Sequence, residues 1–564
     1  MTNWLPVWLR EYQRSKLPGD LVAGLIVTAM LVPQSLAYAM LAGMPPETGL
    51  YASMLPLLAY ALFGSSMTLA VGPVAVISLM TATALTGLAA PGSPEYVALA
   101  GQLALISGVL LIVFGLLRLG FMASLLSHPV IAGFISGSAV LITIGQAKHL
   151  LGVAAPGNGA IDILMHVIGA LPGLNPTTTA IGLAALAFLL LARRYAASLL
   201  GRVLTPRAAD LGARLAPMLA IILSAAIVHL FRLDQHAGVA VVGRVPLGLP
   251  APVLPLPDAS SLGALWAPAL LIALVGFVES YSVGRSLAAR RGERIRANQE
   301  LAGLGAGNLA SAISGGFPVT GGFARSVVNF AAGANTPLAG IISALLMALV
   351  VLGLTGLFRP LPQAVLAATI IAAVLPLVDI GTMRRAWRYD RADAWSWIAT
   401  ASGVLALGVE QGILIGVALS IGMLIWRTSH PHMALVGRVP GTEHFRNVER
   451  HDVETLPGLI AVRVDESLFF GNIEAVETRI RQLIAANPGT RRLVLICSAV
   501  NHIDATALEE LTALEQELSK RGIELALAEV KGPVMDRLEP TELGARLKGR
   551  VYLSTHAAVA ARAA

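Results

Sequence analysis

Between residues 20 and 427 the chain passes through about fourteen apolar runs, at roughly 20–41, 49–64, 68–88, 96–117, 124–145, 176–192, 214–232, 265–284, 297–313, 317–333, 338–357, 362–379, 393–407 and 410–427. Most approach the roughly 20 residues that carry an α-helix across a hydrocarbon core. Inside that core no water can satisfy backbone N–H and C=O groups, so a spanning segment of this kind must be helical. The runs therefore dictate an α-helical polytopic membrane protein and exclude a single soluble globule or a disordered chain. Composition agrees: 55% of the 564 residues are hydrophobic and only 13% charged, against about 25% charged in soluble proteins.

Charge changes abruptly near Arg427. Residues 1–427 carry 24 Lys and Arg against 15 Asp and Glu, whereas residues 428–564 carry 16 against 18. The expected organisation is a transmembrane domain over 1–427, a linker over 428–456 and a cytoplasmic α/β domain over 457–564. With the N-terminus in the cytoplasm, inside loops hold eighteen Lys and Arg and outside loops only four, Lys148, Arg232, Arg244 and Arg359. That bias obeys the positive-inside rule and puts the tail in the cytoplasm. It also accounts for the basic excess without a nucleic-acid partner. The first run follows Arg10, Arg14 and Lys16 and contains Pro33 and Gln34, so it reads as a retained helix and not as a cleaved signal. Fourteen spans divide into two sets of seven, about 17–232 and 264–427. An odd number per half predicts inverted repeats, the plan of many secondary transporters.

Two runs are interrupted. In the third, Gly72-Pro73 lies well inside the apolar stretch, and the spacing predicts extended chain over Thr68–Val71 and a half-helix starting at Pro73. In the tenth, Gly315, Gly316, Pro318, Gly321 and Gly322 break the pattern, with a half-helix expected from Phe323 or Ala324. Paired breaks at corresponding places of two halves point to a transporter site. Each half-helix start offers free N–H groups and roughly +0.5 of a charge.

Arg325 and Glu279 both lie within spans, where an ionised side chain costs about 3 kcal/mol on insertion scales. One reading pairs them as a structural ion pair. The other makes Arg325 an anion contact and Glu279 a proton site, because protonating Glu279 removes a negative charge beside the anion, and each ligand then favours the other. Gln34 and Tyr38 share a face of the first helix and either line the cavity or bond a neighbouring helix. His128 and Glu410 read as interfacial. No His/Cys grouping has metal spacing, no GxxxxGK[ST] loop occurs and no nucleophile–base pair stands out, so no metal, cofactor, ATP motor or enzymatic activity is expected. The single Cys497 excludes an intrachain disulfide.

In the tail, Leu459–Val464, Arg492–Cys497 and Ile523–Ala528 read as strands. Ile473–Ala486, Ala505–Lys520 and the shorter Pro533–Leu538 read as helices. Asp504 is a natural N-cap, and Thr506 in the following turn is either part of that cap or a phosphorylation site, since negative charge is favoured there.

Together these residues resemble the SulP family, the sulfate-permease-related anion transporters (solute carrier family 26). The segment from Val32-Pro-Gln-Ser-Leu-Ala-Tyr38 to Tyr51 is similar to that family's first-span signature. Gly72-Pro-Val74 and Gly315-Gly-Phe-Pro318 are similar to its third- and tenth-span motifs. The tail resembles a STAS domain, related to anti-sigma-factor antagonists, with Asp504-Ala-Thr506 at its characteristic loop. The resemblance implies fourteen spans in two inverted seven-helix repeats, arranged as core and gate domains that work as an elevator, usually in a homodimer. It implies anion contacts at Val74, Ala75, Ala324 and Arg325, with Gln34 and Tyr38 lining the pocket. Sodium-coupled bicarbonate members of the family carry Asp in the eighth helix. Here Glu279 stands there, as in members taken to be proton-coupled. Thr506 replaces the phosphorylatable Ser of related antagonists, and Ala505 departs from the commoner Ser before it. The resulting expectation is a secondary transporter of a small anion, sulfate foremost, working by proton symport in the cytoplasmic membrane. Its partners are then the anion, protons, the lipid bilayer, a second copy of the chain and an unidentified cytoplasmic ligand of the STAS domain. Bicarbonate or C4-dicarboxylate transport and channel-like anion conduction are the alternatives.

Overall fold

The computed structural model describes residues 6–124, 127–154 and 159–561. The chain forms two compact units that divide between Ser420 and Ile421.

Between Leu17 and Ser429 every predicted apolar run holds a helix, the last of which crosses the division between the units. The first gives α1 (Leu17–Leu41). The second breaks into α2 (Pro46–Tyr51) and α3 (Leu55–Phe63), each begun by a proline in its first turn. There follow β1 (Val71–Gly72), α4 (Ala75–Leu85), α5 (Pro94–Leu116), α6 (His128–Leu151), α7 (Ala160–Ala170), α8 (Pro176–Leu191) and α9 (Ala216–Phe231). The second half gives α10 (Ala259–Ala289), α11 (Ala297–Ile313), β2 (Thr320–Gly321), α12 (Phe323–Ala331), α13 (Leu338–Gly353), α14 (Gln363–Val374), α15 (Ile380–Tyr389), α16 (Arg391–Leu407) and α17 (Val409–Ser429). Among the described residues, seven helices are long and apolar enough to cross a membrane, and shorter apolar helices accompany them. Helices α7 and α15 lie between predicted spans and were not expected.

The packing repeats with a shift of seven spans. Helix α1 packs on α13 as α10 packs on α5, and α3 packs on α13 as α11 packs on α5. Likewise α12 meets α1 as α4 meets α10, and α14 meets α8 as α16 meets α6. Where the halves meet, β1 and β2 pair antiparallel, Val71 opposite Gly321 and Gly72 opposite Thr320. The half-helices that follow the two strands therefore leave the centre in opposite directions. Loops that follow alternate spans also gather at separate places. Lys16, Ser65, Arg294 and Thr336 share one of them, and Glu47, Val97, Leu247 and Ser314 another.

Small residues let these helices approach closely. A Cβ on Gly305 of α11 would stand 2.8 Å from the Gly108 carbonyl oxygen of α5, and one on Gly303 would stand 2.6 Å from Gly64 Cα. Since backbone cannot yield as a side chain does, Gly303→Ala is expected to destabilise the protein by about 1–3 kcal/mol. A lowered thermal transition in detergent would show it, and an unchanged transition would refute the close contact. Two buried carboxylates fix the loops flanking the half-helices. Glu300 accepts from the Tyr60 hydroxyl (2.7 Å), from the Ser65 N–H and hydroxyl (2.9 and 2.6 Å) and from the Ser66 N–H (2.9 Å). Asp20 accepts from the Asn335 and Thr336 N–H groups (2.6 and 3.0 Å) and from the Thr336 hydroxyl (2.7 Å).

The second unit is a six-stranded sheet in the order β4-β3-β5-β6-β7-β8. Its strands are β3 (Met433–Arg438), β4 (Phe445–Asn447), β5 (Leu459–Val464), β6 (Arg492–Ile496), β7 (Glu524–Ala528) and β8 (Val551–Tyr552). Strands β5 to β8 run parallel, and β3 joins antiparallel to both β4 and β5. Helices α18 (Ile473–Ala486) and α19 (Ala505–Lys520) bury Val476, Ile480, Leu511 and Leu514 against Val462, Leu493, Leu495 and Leu525 on one face. The stretch 428–456 is corrected by this sheet. It supplies β3 and β4 instead of forming only a linker, because the apolar side chains of Ala434 and Val436 are covered once β3 pairs with β5. Cys497 is buried, and burial pushes its thiol up to about 12, which leaves it unreactive.

Candidate functional site

The two interrupted spans meet at the centre of the first unit. The expected half-helix start at Pro73 is corrected to Ala75, with Val74 still extended at the N-cap. The shift has a tertiary cause. Val71 and Gly72 are used in the strand pair, and the Pro73 carbonyl oxygen accepts a 2.5 Å hydrogen bond from Arg325 Nη1. On the other side α12 begins at Phe323, as expected. Neither Val74 nor Gly322 supplies a capping side chain, so the first-turn N–H groups of Ala75–Ile77 and Phe323–Arg325 lack protein partners among the described residues.

Arg325 is only 2% exposed, and its Nε and Nη2 have no hydrogen-bond partner among the described residues. A guanidinium carries five N–H donors, and leaving them unmet in a dry site is costly. The group lies in the gap between two glycines. A Cβ on Gly322 would come within 3.0 Å of Nη2, and one on Gly72 within 3.3 Å. Two uncapped helix starts and unspent guanidinium donors thus converge on one place. Donors and positive helix ends of this kind have the chemistry to hold an oxyanion and to disfavour cations.

Glu279 of α10 is half-buried, and its Oε2 has no hydrogen-bond partner among the described residues. With Arg325 Nη1 on Pro73 and the other guanidinium nitrogens unbonded, the two residues do not form the structural ion pair that was one reading of the sequence. They remain close enough to interact through space, as does Tyr38 with both. Tyr38 is buried in the apolar cluster that contains Ala75. Gln34, one turn earlier on α1, is half-buried, and its amide has no hydrogen-bond partner among the described residues. Val74 and Ala75 are buried, whereas Ala324 and Phe323 (49%) are exposed. The structure therefore gathers Val74, Ala75, Arg325 and Tyr38 closely and leaves Ala324 on an open side. From Glu279 towards the C-terminal end of α10, Ser282, Arg285 and Ser286 are exposed, while Ile272, Val275 and Gly276 on the opposite side of Glu279 are buried. Along α10, exposure therefore increases from Glu279 towards Arg285.

Several residues that position the site were not predicted. The Gly321 N–H donates to Ser280 Oγ (2.8 Å), and Ser280 and Thr320 hydroxyls are bonded at 2.6 Å. Thr320 in turn donates to the Gly276 carbonyl (2.7 Å). This chain locks β2 to the helix carrying Glu279. Ser326 Oγ accepts from the Ala70 N–H (3.0 Å), and Asn329 donates to the Thr68 carbonyl (2.9 Å), tying α12 to the chain entering β1. Asn308 of α11 brackets Val319 through both its N–H and its carbonyl.

In the second unit Asp504 caps α19. It accepts from the Ala507 N–H (2.8 Å) and, through its other oxygen, from the Phe470 N–H (2.9 Å). The Ala507 bond first, then that of Phe470, holds its carboxyl below the usual range. The cap is therefore in place above the ordinary carboxylate pKa of about 4 and is lost as pH falls through the lowered value. Asp504→Ala should cost about 1 kcal/mol locally. Amide exchange at Ala507 and Phe470 should rise about fivefold at neutral pH, and equal protection in both proteins would refute the cap. Thr506 is exposed in the first turn of α19.

Residues 17–400 match the model of the Sulfate permease family, and residues 450–558 that of the STAS domain. The chain belongs to the sulfate permease family. It is accordingly a multi-pass membrane transporter with a STAS domain, and not an enzyme. A protein described as a "probable sulfate transporter" of Mycobacterium tuberculosis is 36% identical over 545 residues, covering 96% of this chain and 94% of the relative. The chloroplastic sulfate transporter 4.1 of Arabidopsis thaliana is 36% identical over 534 residues, covering 92% of this chain and 76% of the relative. Among solved structures, murine solute carrier 26 family member A9 in its inward-facing state aligns with a TM-score of 0.90 at 24% identity, over 99% of this chain and 93% of that one. The transmembrane domain of a cyanobacterial bicarbonate transporter aligns at 0.60 and 24% identity, over 73% of this chain and 98% of that one. At these identities the two structures speak for the fold alone.

Proposed function

We propose that the chain transports sulfate across the cytoplasmic membrane together with protons. The observation that carries this reading is Arg325, buried with Nε and Nη2 unspent between two uncapped half-helix starts. A divalent tetrahedral oxyanion matches that donor set in charge and in number of acceptors. The sulfate transporters among the relatives point to the same substrate. Gln34 and Tyr38 complete the pocket wall, and Val74, Ala75 and Ala324 contribute backbone to it. Glu279 holds the coupling proton, since an ionised carboxylate beside Arg325 would repel the dianion and a neutral one would not.

The packing favours an elevator. Helices α1 to α5 and α10 to α13 surround the strand pair, and α6, α8, α14 and α16 pack mainly among themselves. The first group carries the site, and sliding it past the second would expose the anion to the other side. The end of α10 beside Arg285 is the cytoplasmic one by the distribution of Lys and Arg. The chain acts as a homodimer, and the STAS domain is a regulatory unit in which phosphate on Thr506 would sit at a helix N-terminus.

Uptake of radiolabelled sulfate into proteoliposomes tests the substrate. Saturable uptake that is competed by unlabelled sulfate is expected. Uptake of bicarbonate or fumarate without any sulfate flux would overturn the assignment.

A further inference from the structure

The connection between α14 and α16 presents chemistry that anion transport does not use. Helix α15 (Ile380–Tyr389) is held rigidly at its start. Asp379 accepts from the Thr382 N–H (2.9 Å) and from the Thr382 hydroxyl, and its own N–H donates to Ser136 Oγ of α6 (2.9 Å). Thr382 is buried, which fixes the opposite side of the helix outward. On that side Ile380 (47% exposed) and Trp387 (43%) stand seven residues apart along one edge, and Arg384 and Arg388 line the adjoining edge. The Trp387 ring lies 5.7 Å from that of Trp395, at the start of α16 and 59% exposed. Arg385 is engaged, donating to Thr382 Oγ1 (2.8 Å). Arg384, Arg388 and Arg391 are exposed and have no protein partner among the described residues.

An apolar, tryptophan-bearing edge beside a stripe of free arginines is the pattern of a helix lying in a membrane interface. The indoles sit at headgroup level, and the guanidiniums meet phosphate. We propose that α15 and the first turn of α16 form a binding surface for anionic phospholipid headgroups. Ile380, Trp387 and Trp395 reach the acyl boundary there, and Arg384, Arg388 and Arg391 hold the headgroup charge. Each basic residue near such a surface favours anionic over neutral lipid by about fivefold. The surface lies on helices outside the group that carries the anion site, so lipid binding there is separable from sulfate binding.

The test uses the full-length protein in phosphatidylcholine vesicles with a minor fraction of brominated lipid, either phosphatidylglycerol or phosphatidylcholine. Bromine quenches nearby indoles, and subtraction of a W387F/W395F variant isolates the signal from these two of the seven tryptophans. Brominated phosphatidylglycerol should quench that component at least about fivefold more effectively than brominated phosphatidylcholine, the preference that one arginine alone would give. The preference should fall with added salt and vanish in R384Q/R388Q/R391Q. Equal quenching by the two lipids in the parent, a preference insensitive to salt, or one retained in the triple variant would each overturn the proposal.

Discussion

Arg325→Met is expected to abolish sulfate binding while leaving the sulfate-free protein at least as stable as the parent. The two halves of this prediction have different causes. In the sulfate-bound state the guanidinium would meet the anion, and truncating one member of a buried charge pair costs about 3 kcal/mol or more, at least a hundredfold in Kd. In the sulfate-free state the same group is a buried cation whose Nε and Nη2 bond nothing among the described residues. An apolar side chain of similar length removes that penalty and loses only the bond to the Pro73 carbonyl. Thermal unfolding in detergent, with and without sulfate, checks both halves. The parent should gain stability with sulfate, and the variant should start no lower and gain nothing. A variant much less stable without sulfate would make Arg325 a structural residue instead.

Glu279→Gln should separate sulfate binding from pH. In the parent, if proton and sulfate bind with mutual preference, log Kd for sulfate rises by up to about one unit per pH unit wherever Glu279 titrates. The amide is permanently neutral, so sulfate affinity in the variant should be flat with pH and close to the parent's acidic limit. Accumulation driven by a proton gradient should disappear, while exchange of internal for external sulfate persists. Both readouts can be taken on one reconstituted preparation. A pH dependence retained in the variant would move the proton elsewhere. The neighbouring Ser280 bonds do not depend on the carboxyl, so the variant should keep the strand pair intact.

How much of this was legible in the sequence depended on whether the signal was local. Gly72-Pro73 and the glycines around Pro318 mark chain breaks by their own backbone preferences, and both breaks lie where expected. The start of α12 was readable for the same reason. That of α4 was displaced by two residues because Gly72 pairs with Thr320 and Arg325 claims the Pro73 carbonyl, partners about 250 residues away. Arg325 and Glu279 stood out because charge is expensive in a membrane. Ser280, Thr320, Ser326, Asn308 and Asn329 did not, since small polar residues are tolerated in spans and their bonds join distant segments. Asp20 and Glu300 lie near the ends of spans, where a carboxylate is unremarked until the loop it holds is seen. Strand β4 was missed because it has only three residues, and β3 because it gains its partners only in the folded sheet.

The central claim is that one buried site carries an oxyanion and a proton together. Proton entry driven by sulfate tests it most directly. Proteoliposomes would carry a trapped pH-sensitive dye and no sodium, and sulfate would be added outside at equal internal and external pH. The account predicts acidification of the lumen that saturates with sulfate, is absent in Arg325→Met and is absent in Glu279→Gln. Sulfate entry with no accompanying acidification would contradict it and leave the site an anion carrier without proton coupling.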